Sequence, residues 1–418
     1  MDHFHYHNGE LHAEDVPLAR IAQQVGTPVY VYSRATLERH AQVFREGLSE
    51  LPSVHLAFAV KSNPNLAVLK VLKEQGFGAD VVSEGEMRRA LAAGIPAADI
   101  VFSGVGKTRR ELAAALEARI GQFNLESEEE GEELAALAAE RGVTAPCALR
   151  VNPDVEAGTH AKISTGKAEN KFGVPYDRAA EMFDRLARLP GMNLRGLAVH
   201  IGSQLQSLDP LEAAFTRMGA LMEAIRAEGH HITHMDLGGG VGVPYREGEQ
   251  FPSPADYGAM VARICKGWDV TLMFEPGRVI TGNSGVLVTE VIRVKQGVTA
   301  PFVVVDAAMN DLARPAMYDA WHDFAAVRPT NESFTASVVG PICESSDVFA
   351  KDRDIDAVKA GDLAVFRTAG AYGATMANTY NSRPLVPEVL VSGDRFAVVA
   401  DRIDPAAILS AERVPDWL

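Results

Sequence analysis

Between Val54 and Glu275 the chain repeats one pattern eight times: a short apolar run, then a longer amphipathic stretch. The runs are Val54 to Val60, Ala79 to Val82, Ile100 to Phe102, Gln122 to Leu125, Cys147 to Val151, Leu194 to Val199, Ile232 to Leu237 and Val270 to Phe274. Helical periods fill the intervals at Leu66 to Gln75, Glu84 to Ala93, Glu111 to Ala118, Glu128 to Arg141, Asp177 to Leu189, Leu211 to Glu228 and Pro254 to Lys266. Strands that alternate with helices belong to parallel sheets, because each crossover helix covers a sheet face. Eight such units in about 220 residues predict a closed (β/α)8 barrel with its chemistry at the C-terminal strand ends. A doubly wound open sheet shares the local pattern, and strand count alone does not separate the two.

After Glu275 the texture changes to Val- and Ile-rich runs broken by Gly and Pro, such as GVLVTEVIRV, PFVVVDAA and RFAVVAD. This predicts a mostly antiparallel β domain, sandwich- or barrel-like, over 281–418, joined by 1–35 with its strand-like Pro28 to Ser33; the barrel takes 36–280. An apolar content of 47% over 418 residues is enough for two cores. No apolar stretch reaches the roughly 18 residues a membrane span needs, and MDHFHYHNGE lacks the basic flank and apolar core of a signal peptide. A net charge of −15 disfavours nonspecific binding to nucleic acid or to an anionic membrane. Cys147, Cys265 and Cys343 are odd in number and far apart, which suits a reducing compartment, so a cytoplasmic location is expected. His3, His5 and His7 alternate as strand neighbours without nearby carboxylate or thiol ligands, and no metal site is expected.

The strand ends are polar or glycine: Lys61, Ser83, Ser103, Glu126, Asn152, His200, Gly238 and Glu275. Gly238-Gly239-Gly240 follows the seventh run and Glu275-Pro276-Gly277-Arg278 the eighth. Loops after the seventh and eighth barrel strands commonly hold a phosphate, since bare backbone N–H groups can approach an anion closely. A triple glycine by itself is more readily a tight turn. Beside an amine at Lys61 and a carboxylate at Glu275, it points to pyridoxal 5'-phosphate, whose aldehyde needs a lysine and whose ring nitrogen needs a partner. His200 could stack on the ring. The stretch from Asp154 to Asn170, with His160, Ser164 and Gly166, is a long loop after the fifth run and a candidate lid.

The ordered set FAVKSNPN, GADVVSEGE, FSGVGK, RVNPD, KFG, HIGSQ, LGGG, EPGR, MNDLARPAMY, GPICESSD, GAYG and YNSRP spans nearly the whole chain. It closely resembles bacterial diaminopimelate decarboxylases. The resemblance implies conversion of meso-2,6-diaminopimelate to L-lysine and CO2, the last step of lysine biosynthesis. It also implies a homodimer with active sites at the interface. It places the Schiff-base lysine at Lys61, the ring-stacking imidazole at His200 and the partner of the ring nitrogen at Glu275. Ser203, Gly239, Gly240, Gly277 and Arg278 would surround the phosphate, and Arg150 would approach the ring hydroxyl. Arg278, Arg314 and Tyr318 would hold the distal carboxylate, with Glu344 facing the distal ammonium and Tyr372 touching cofactor and substrate. Cys343 would be the proton donor, supplied with Glu344 across the dimer interface; Lys61 is the other candidate for that proton.

Three rivals share parts of this pattern. An alanine racemase places an arginine near the ring nitrogen, where this chain has Glu275. Decarboxylases of other basic amino acids differ only in the distal contacts, and Arg278 with Arg314 favours a substrate bearing a second carboxylate. A non-catalytic homologue would have no need of Lys61, His200, Glu275 and Cys343 together.

Overall fold

The eight apolar runs form eight parallel strands, and these close on themselves. They are β1 (Val54–Ala59), β2 (Gly78–Val81), β3 (Ile100–Phe102), β4 (Gln122–Leu125), β5 (Ala145–Asn152), β6 (Met192–Ala198), β7 (His234–Asp236) and β8 (Thr271–Phe274). Each pairs in parallel with the next, and Leu272, Met273 and Phe274 of β8 pair with Val54, His55 and Leu56 of β1. That last ladder makes the sheet a barrel and removes the open doubly wound alternative. A two-residue strand, Val174–Pro175, is added in parallel to β5.

This computed structural model describes residues 2–156 and 170–418. The candidate lid residues His160, Ser164 and Gly166 lie outside them. The described chain splits into two compact units, one of 38–243 with 250–280, the other of 1–37, 244–249 and 281–418. The six residues Pro244–Glu249 thus group with the β unit, although they sit in a barrel loop by sequence. Among the described residues no helix is long and apolar enough to cross a membrane.

Eight helices accompany the strands: α1 (Arg34–Gly47), α2 (Leu66–Glu74), α3 (Glu84–Ala92), α4 (Arg109–Ala118), α5 (Glu128–Arg141), α6 (Ala179–Ala187), α7 (Asp209–Ala227) and α8 (Pro254–Ile264). Their starts are written in side chains. Asn65, Ser83 and Ser127 each accept an N–H from the first turn, and Thr108 with Glu111 and Ser253 with Asp256 form full capping boxes. Helix α1 is an addition to the sequence reading. It precedes β1, and its C-terminal end packs against α8, where Phe44 stacks on Tyr257 with ring centroids 6.2 Å apart. Both sides of that contact are glycines for a reason: a Cβ on Gly258 would collide with the Gly47 carbonyl oxygen.

The β unit is built around one long strand, Gly285–Lys295. It pairs antiparallel with Val29–Ser33, Phe302–Val305 and Leu363–Phe366, while Glu388–Ser392 runs parallel to Val29–Ser33. The strand-like Pro28 to Ser33 therefore belongs to this sheet. Its core is a valine layer of Val29, Val31, Val286, Val288, Val365, Val389 and Val391, all buried. A separate three-stranded sheet of Phe4–His7, Glu10–Ala13 and Val16–Pro17 places the N-terminal histidines on a hairpin.

Candidate active site

Strand β1 stops at Ala59, and Lys61 stands in the middle of a 3-10 turn, Val60–Ser62. The turn is fixed locally: the Ser62 hydroxyl donates to the Ala59 carbonyl at 2.8 Å and the Asn63 N–H to the Val60 carbonyl at 3.0 Å. A sharp turn directly after a buried strand aims the lysine across the mouth of the barrel. Its side chain is 36% exposed, and its Nζ lies 3.3 Å from Asp80 Oδ2 on β2, which is wholly buried. The second oxygen of Asp80 is buried without a hydrogen-bond partner. Lys107, another lysine at this end of the barrel, is locked: its Nζ donates to the carbonyls of Gly104 and Asn124, each at 2.8 Å, and to Glu130 at 2.6 Å.

Glu275 follows β8 and is buried with Asp236, the last residue of β7. Asn124 on β4 bridges them, its Nδ2 donating to Asp236 Oδ2 at 2.8 Å and lying 3.4 Å from Glu275 Oε1. Ser103 Oγ is also 3.4 Å from Glu275 Oε1. Burial raises the Glu275 carboxyl well above the ordinary carboxylate range, and Asp236 and Asp80 push it further, with Lys61 opposing. Burial also raises Asp236, which keeps a bond to Glu275 and accepts the Gly238 N–H at 2.9 Å. Burial and the two neighbouring carboxylates therefore all favour the protonated form of Glu275, and the Lys61 amine opposes them.

His200 follows β6. Its Nδ1 accepts the Gly239 N–H at 3.2 Å, which fixes the ring and leaves any ring proton on Nε2. Burial lowers its pKa well below the usual imidazole value, and Lys61 and Arg150 lower it further. Arg150 pairs with Glu126 at 2.7 Å and stacks over Phe172 at 4.9 Å. Glu126 also accepts the N–H groups of Gly104 and Gly173, at 3.0 and 2.8 Å, so one carboxylate ties together three loops at the mouth.

Three loops meet at the other side of the mouth. The Glu275 N–H donates to the Gly238 carbonyl at 2.8 Å, and the Leu205 N–H to the Gly240 carbonyl at 2.9 Å. The backbones approach so closely that a Cβ on Gly239 would strike the Glu275 carbonyl oxygen; on Gly240, at φ +127°, it would lie 2.7 Å from the Gly202 oxygen. Gly277 has somewhat more room, its Cβ position lying 3.1 Å from that of Ala59. Where these loops converge, Arg278 Nε and Nη2 lie 3.3 and 3.2 Å from Ser203 Oγ. A guanidinium, a hydroxyl and glycine backbone form a donor set for a phosphate.

The ring of polar strand ends thus divides by role. Lys61, Ser103, Glu126, His200, Gly238 and Glu275 line the mouth, whereas Ser83 caps α3 and Asn152 accepts the Asp154 N–H at 3.0 Å. Sequence reasoning missed Asp80, Asn124 and Asp236. Their signal was present: each is a polar residue set directly between two buried apolar ones, Ala79 and Val81, Phe123 and Leu125, Met235 and Leu237.

The remaining sequence candidates lie in the β unit. Arg314 opens the short helix Arg314–Tyr318 and is buried, with Tyr318 half-buried at its end. Tyr372 has left-handed backbone, φ +55°. Cys343 and Glu344 are exposed on a loop held from inside by Asp347, which accepts the N–H groups of Met309 and Ile342, each at 2.7 Å. Asn381 Oδ1 accepts the Cys343 N–H at 3.3 Å, and the Tyr380 hydroxyl donates to Glu344 at 3.1 Å.

An amine beside a buried carboxylate, a buried acid at the end of the neighbouring strand, a fixed imidazole and a phosphate donor set define a pyridoxal-phosphate-dependent barrel enzyme. The family model described as pyridoxal-dependent decarboxylase, pyridoxal binding domain, matches residues 34–282. A diaminopimelate decarboxylase of Zymomonas mobilis is 50% identical over 99% of both chains, and one of Vibrio cholerae is 48% identical, again over 99% of both. The solved structure of the M. jannaschii diaminopimelate decarboxylase in co-complex with L-lysine superposes with a TM-score of 0.96 at 34% identity, covering 100% of this chain and 99% of that one. The Helicobacter pylori enzyme with L-lysine gives 0.91 at 37%, over 94% and 98%. The chain belongs to the diaminopimelate decarboxylase family of pyridoxal-dependent decarboxylases.

Proposed function

We propose that the protein removes the carboxylate from the D-centre of meso-2,6-diaminopimelate, releasing CO2 and leaving L-lysine. The observation that carries this reading is the 50% identity to a diaminopimelate decarboxylase across 99% of both chains. Pyridoxal 5'-phosphate is the cofactor, and it supplies an electron-poor ring that takes up the electron pair left when the Cα–carboxylate bond breaks.

The chain's own groups do the rest. Lys61 Nζ anchors the aldehyde carbon, and Asp80 stands ready to hold that amine once substrate displaces it. Glu275 would keep a proton at the ring nitrogen, since a carboxylate beside that nitrogen favours its charged form. His200, kept neutral by burial beside Lys61 and Arg150, lies against the ring face without adding a second positive charge. Ser203, Gly239, Gly240, Gly277 and Arg278 hold the phosphate, and Arg150 approaches the ring hydroxyl.

Arg278, Arg314 and Tyr318 take the distal carboxylate, Glu344 the distal ammonium, and Tyr372 touches cofactor and substrate. Anchoring the far L-centre would fix the orientation in which the D-centre carboxylate is presented for cleavage. Cys343 Sγ, or Lys61 Nζ, returns the proton to Cα. Two copies of the chain form a homodimer in which Cys343 and Glu344 serve the partner's site; their exposure on a loop held by Asp347 supports this. Three free cysteines support a cytoplasmic location.

The test is CO2 release from the cofactor-loaded protein given meso-diaminopimelate, D-lysine, L-ornithine or L-arginine in separate reactions. The expected result is release from meso-diaminopimelate above all others. Preference for any other member of the set overturns the reading.

A further inference from the structure

Arg314 is set in place by a structure that the roles above leave unused. Its Nη1 lies 2.8 Å from His322 Nε2, its guanidinium carbon sits 4.5 Å from the centre of the Tyr245 ring, and Tyr245 meets His322 edge-on at 5.3 Å. His322 Nδ1 lies 2.9 Å from the Arg367 carbonyl. These partners fix the imidazole. A carbonyl only accepts, so Nδ1 carries the proton; a guanidinium only donates, so Nε2 accepts from it. The ring must be this one neutral tautomer for both bonds to exist.

His322 is itself held rigidly. It is 1% exposed, its own carbonyl accepts Arg353 Nη1 at 3.0 Å, and the neighbouring Trp321 lies between the guanidinium groups of Arg246 and Arg353, at 4.0 and 3.2 Å. Tyr245 is fixed by a turn in which Glu249 accepts its N–H at 2.9 Å. A planar cation gripped at one edge and on one face has its other edge aimed in a set direction.

We infer that His322, with Tyr245, is a specificity-positioning residue: it orients Arg314 so that the chain prefers substrates with a carboxylate at the end remote from the reacting carbon. The inference rests on the proposed role of Arg314 at the distal carboxylate. His322 touches neither substrate nor cofactor.

Two substitutions separate the ring's functions. The Asn amide in His322→Asn can replace Nδ1 but not reach Arg314, whereas the longer Gln in His322→Gln offers an oxygen where Nε2 was. With the cofactor-loaded proteins, His322→Asn is expected to raise KM for meso-diaminopimelate about tenfold, with kcat within about twofold of wild type. L-lysine keeps the distal carboxylate, so calorimetric binding of L-lysine should weaken by the same factor. Inhibition by 1,5-diaminopentane, which has no carboxylate, should not change. His322→Gln should restore both values, and the affinity of the apo-protein for pyridoxal phosphate should be the same in all three.

Equal behaviour of the Asn and Gln variants overturns the inference. So does a fall in kcat with KM and L-lysine affinity unchanged. Should His322→Asn lose the fold, Tyr245→Leu removes the stacking face instead, and an unchanged KM there overturns the inference as well. Failure of the wild-type protein to release CO2 from meso-diaminopimelate would strike the proposed function, a result visible before any variant is made.

Discussion

At the scale of the residue, the site is a set of charges held apart and then coupled. Lys61 and Asp80 form one pair, Glu275 and Asp236 another, and the two pairs feel each other, since Asp80 raises the Glu275 carboxyl while Lys61 lowers it. On the proposed roles, Lys61→Ala should abolish the absorbance of lysine-bound pyridoxal phosphate and nearly all turnover. Glu275→Gln keeps the shape and the bond to Asn124 but cannot hold a proton for the ring nitrogen; kcat should fall by about a hundredfold while cofactor still binds. Glu86 offers a test in the absence of substrate. Burial pushes its carboxyl up to about 7 from 4.5, against the bond from the Val82 N–H. Between those values the folded protein keeps a proton that the unfolded chain has lost, so this group lowers stability as pH rises through that window, and no further above it. Glu86→Gln should therefore gain melting temperature relative to wild type as pH rises from 4.5 to 7, with a constant difference above. A thermal melting series across pH checks the sign.

At the scale of the element, the barrel was legible because its physics is local. An apolar run short enough to be one strand, then a period of 3.6, then Ser or Thr three residues before Glu, is written in consecutive residues, and Ser127 before Glu130 and Thr108 before Glu111 became caps as such spacing requires. Other features were illegible because their partners are far away in sequence. Helix α1 has a helical period in Leu37, Ala41 and Phe44, but the ring that Phe44 stacks on, Tyr257 of α8, lies some two hundred residues on. Asp80 and Asp236 read as polar accidents until the strands close into a ring. The burial of Arg314 is not marked by its neighbours in sequence either, since the ring that covers its guanidinium, Tyr245, comes from a distant segment. The glycines after β7 were legible as a loop but not as a necessity. A Cβ at Gly239 meets the backbone oxygen of Glu275, which no side-chain rotation relieves. Gly239→Ala should thus cost about 1–3 kcal/mol of stability through this overpacking. The shift it forces on Glu275 should weaken pyridoxal phosphate binding in a fluorescence titration of the apo-protein. An unaltered affinity would mean that the two loops are less tightly joined than their hydrogen bonds imply.

At the scale of the whole molecule, the proposed proton donor is on a surface. Cys147 and Cys265 are buried, with thiols that burial pushes up to the point of inertness, whereas Cys343 is exposed. An exposed thiol serving a chemical step needs an enclosure, and in the proposed homodimer the second copy provides it. Symmetry then makes a countable prediction. In a two-fold dimer each site takes Lys61 from one chain and Cys343 from the other, so one chain carrying Lys61→Ala and one carrying Cys343→Ala confine both faults to a single site and leave the second site intact. Random reassortment of equal amounts puts half the chains in such mixed dimers, and half of their sites work. Mixing the two impaired proteins under conditions that exchange subunits should therefore restore about a quarter of wild-type turnover, beyond whatever Cys343→Ala retains alone. If each site drew both residues from the same chain, every mixed dimer would carry one fault in each site, and mixing would restore nothing. Turnover after exchange, compared with the sum of the separate proteins, distinguishes the two arrangements.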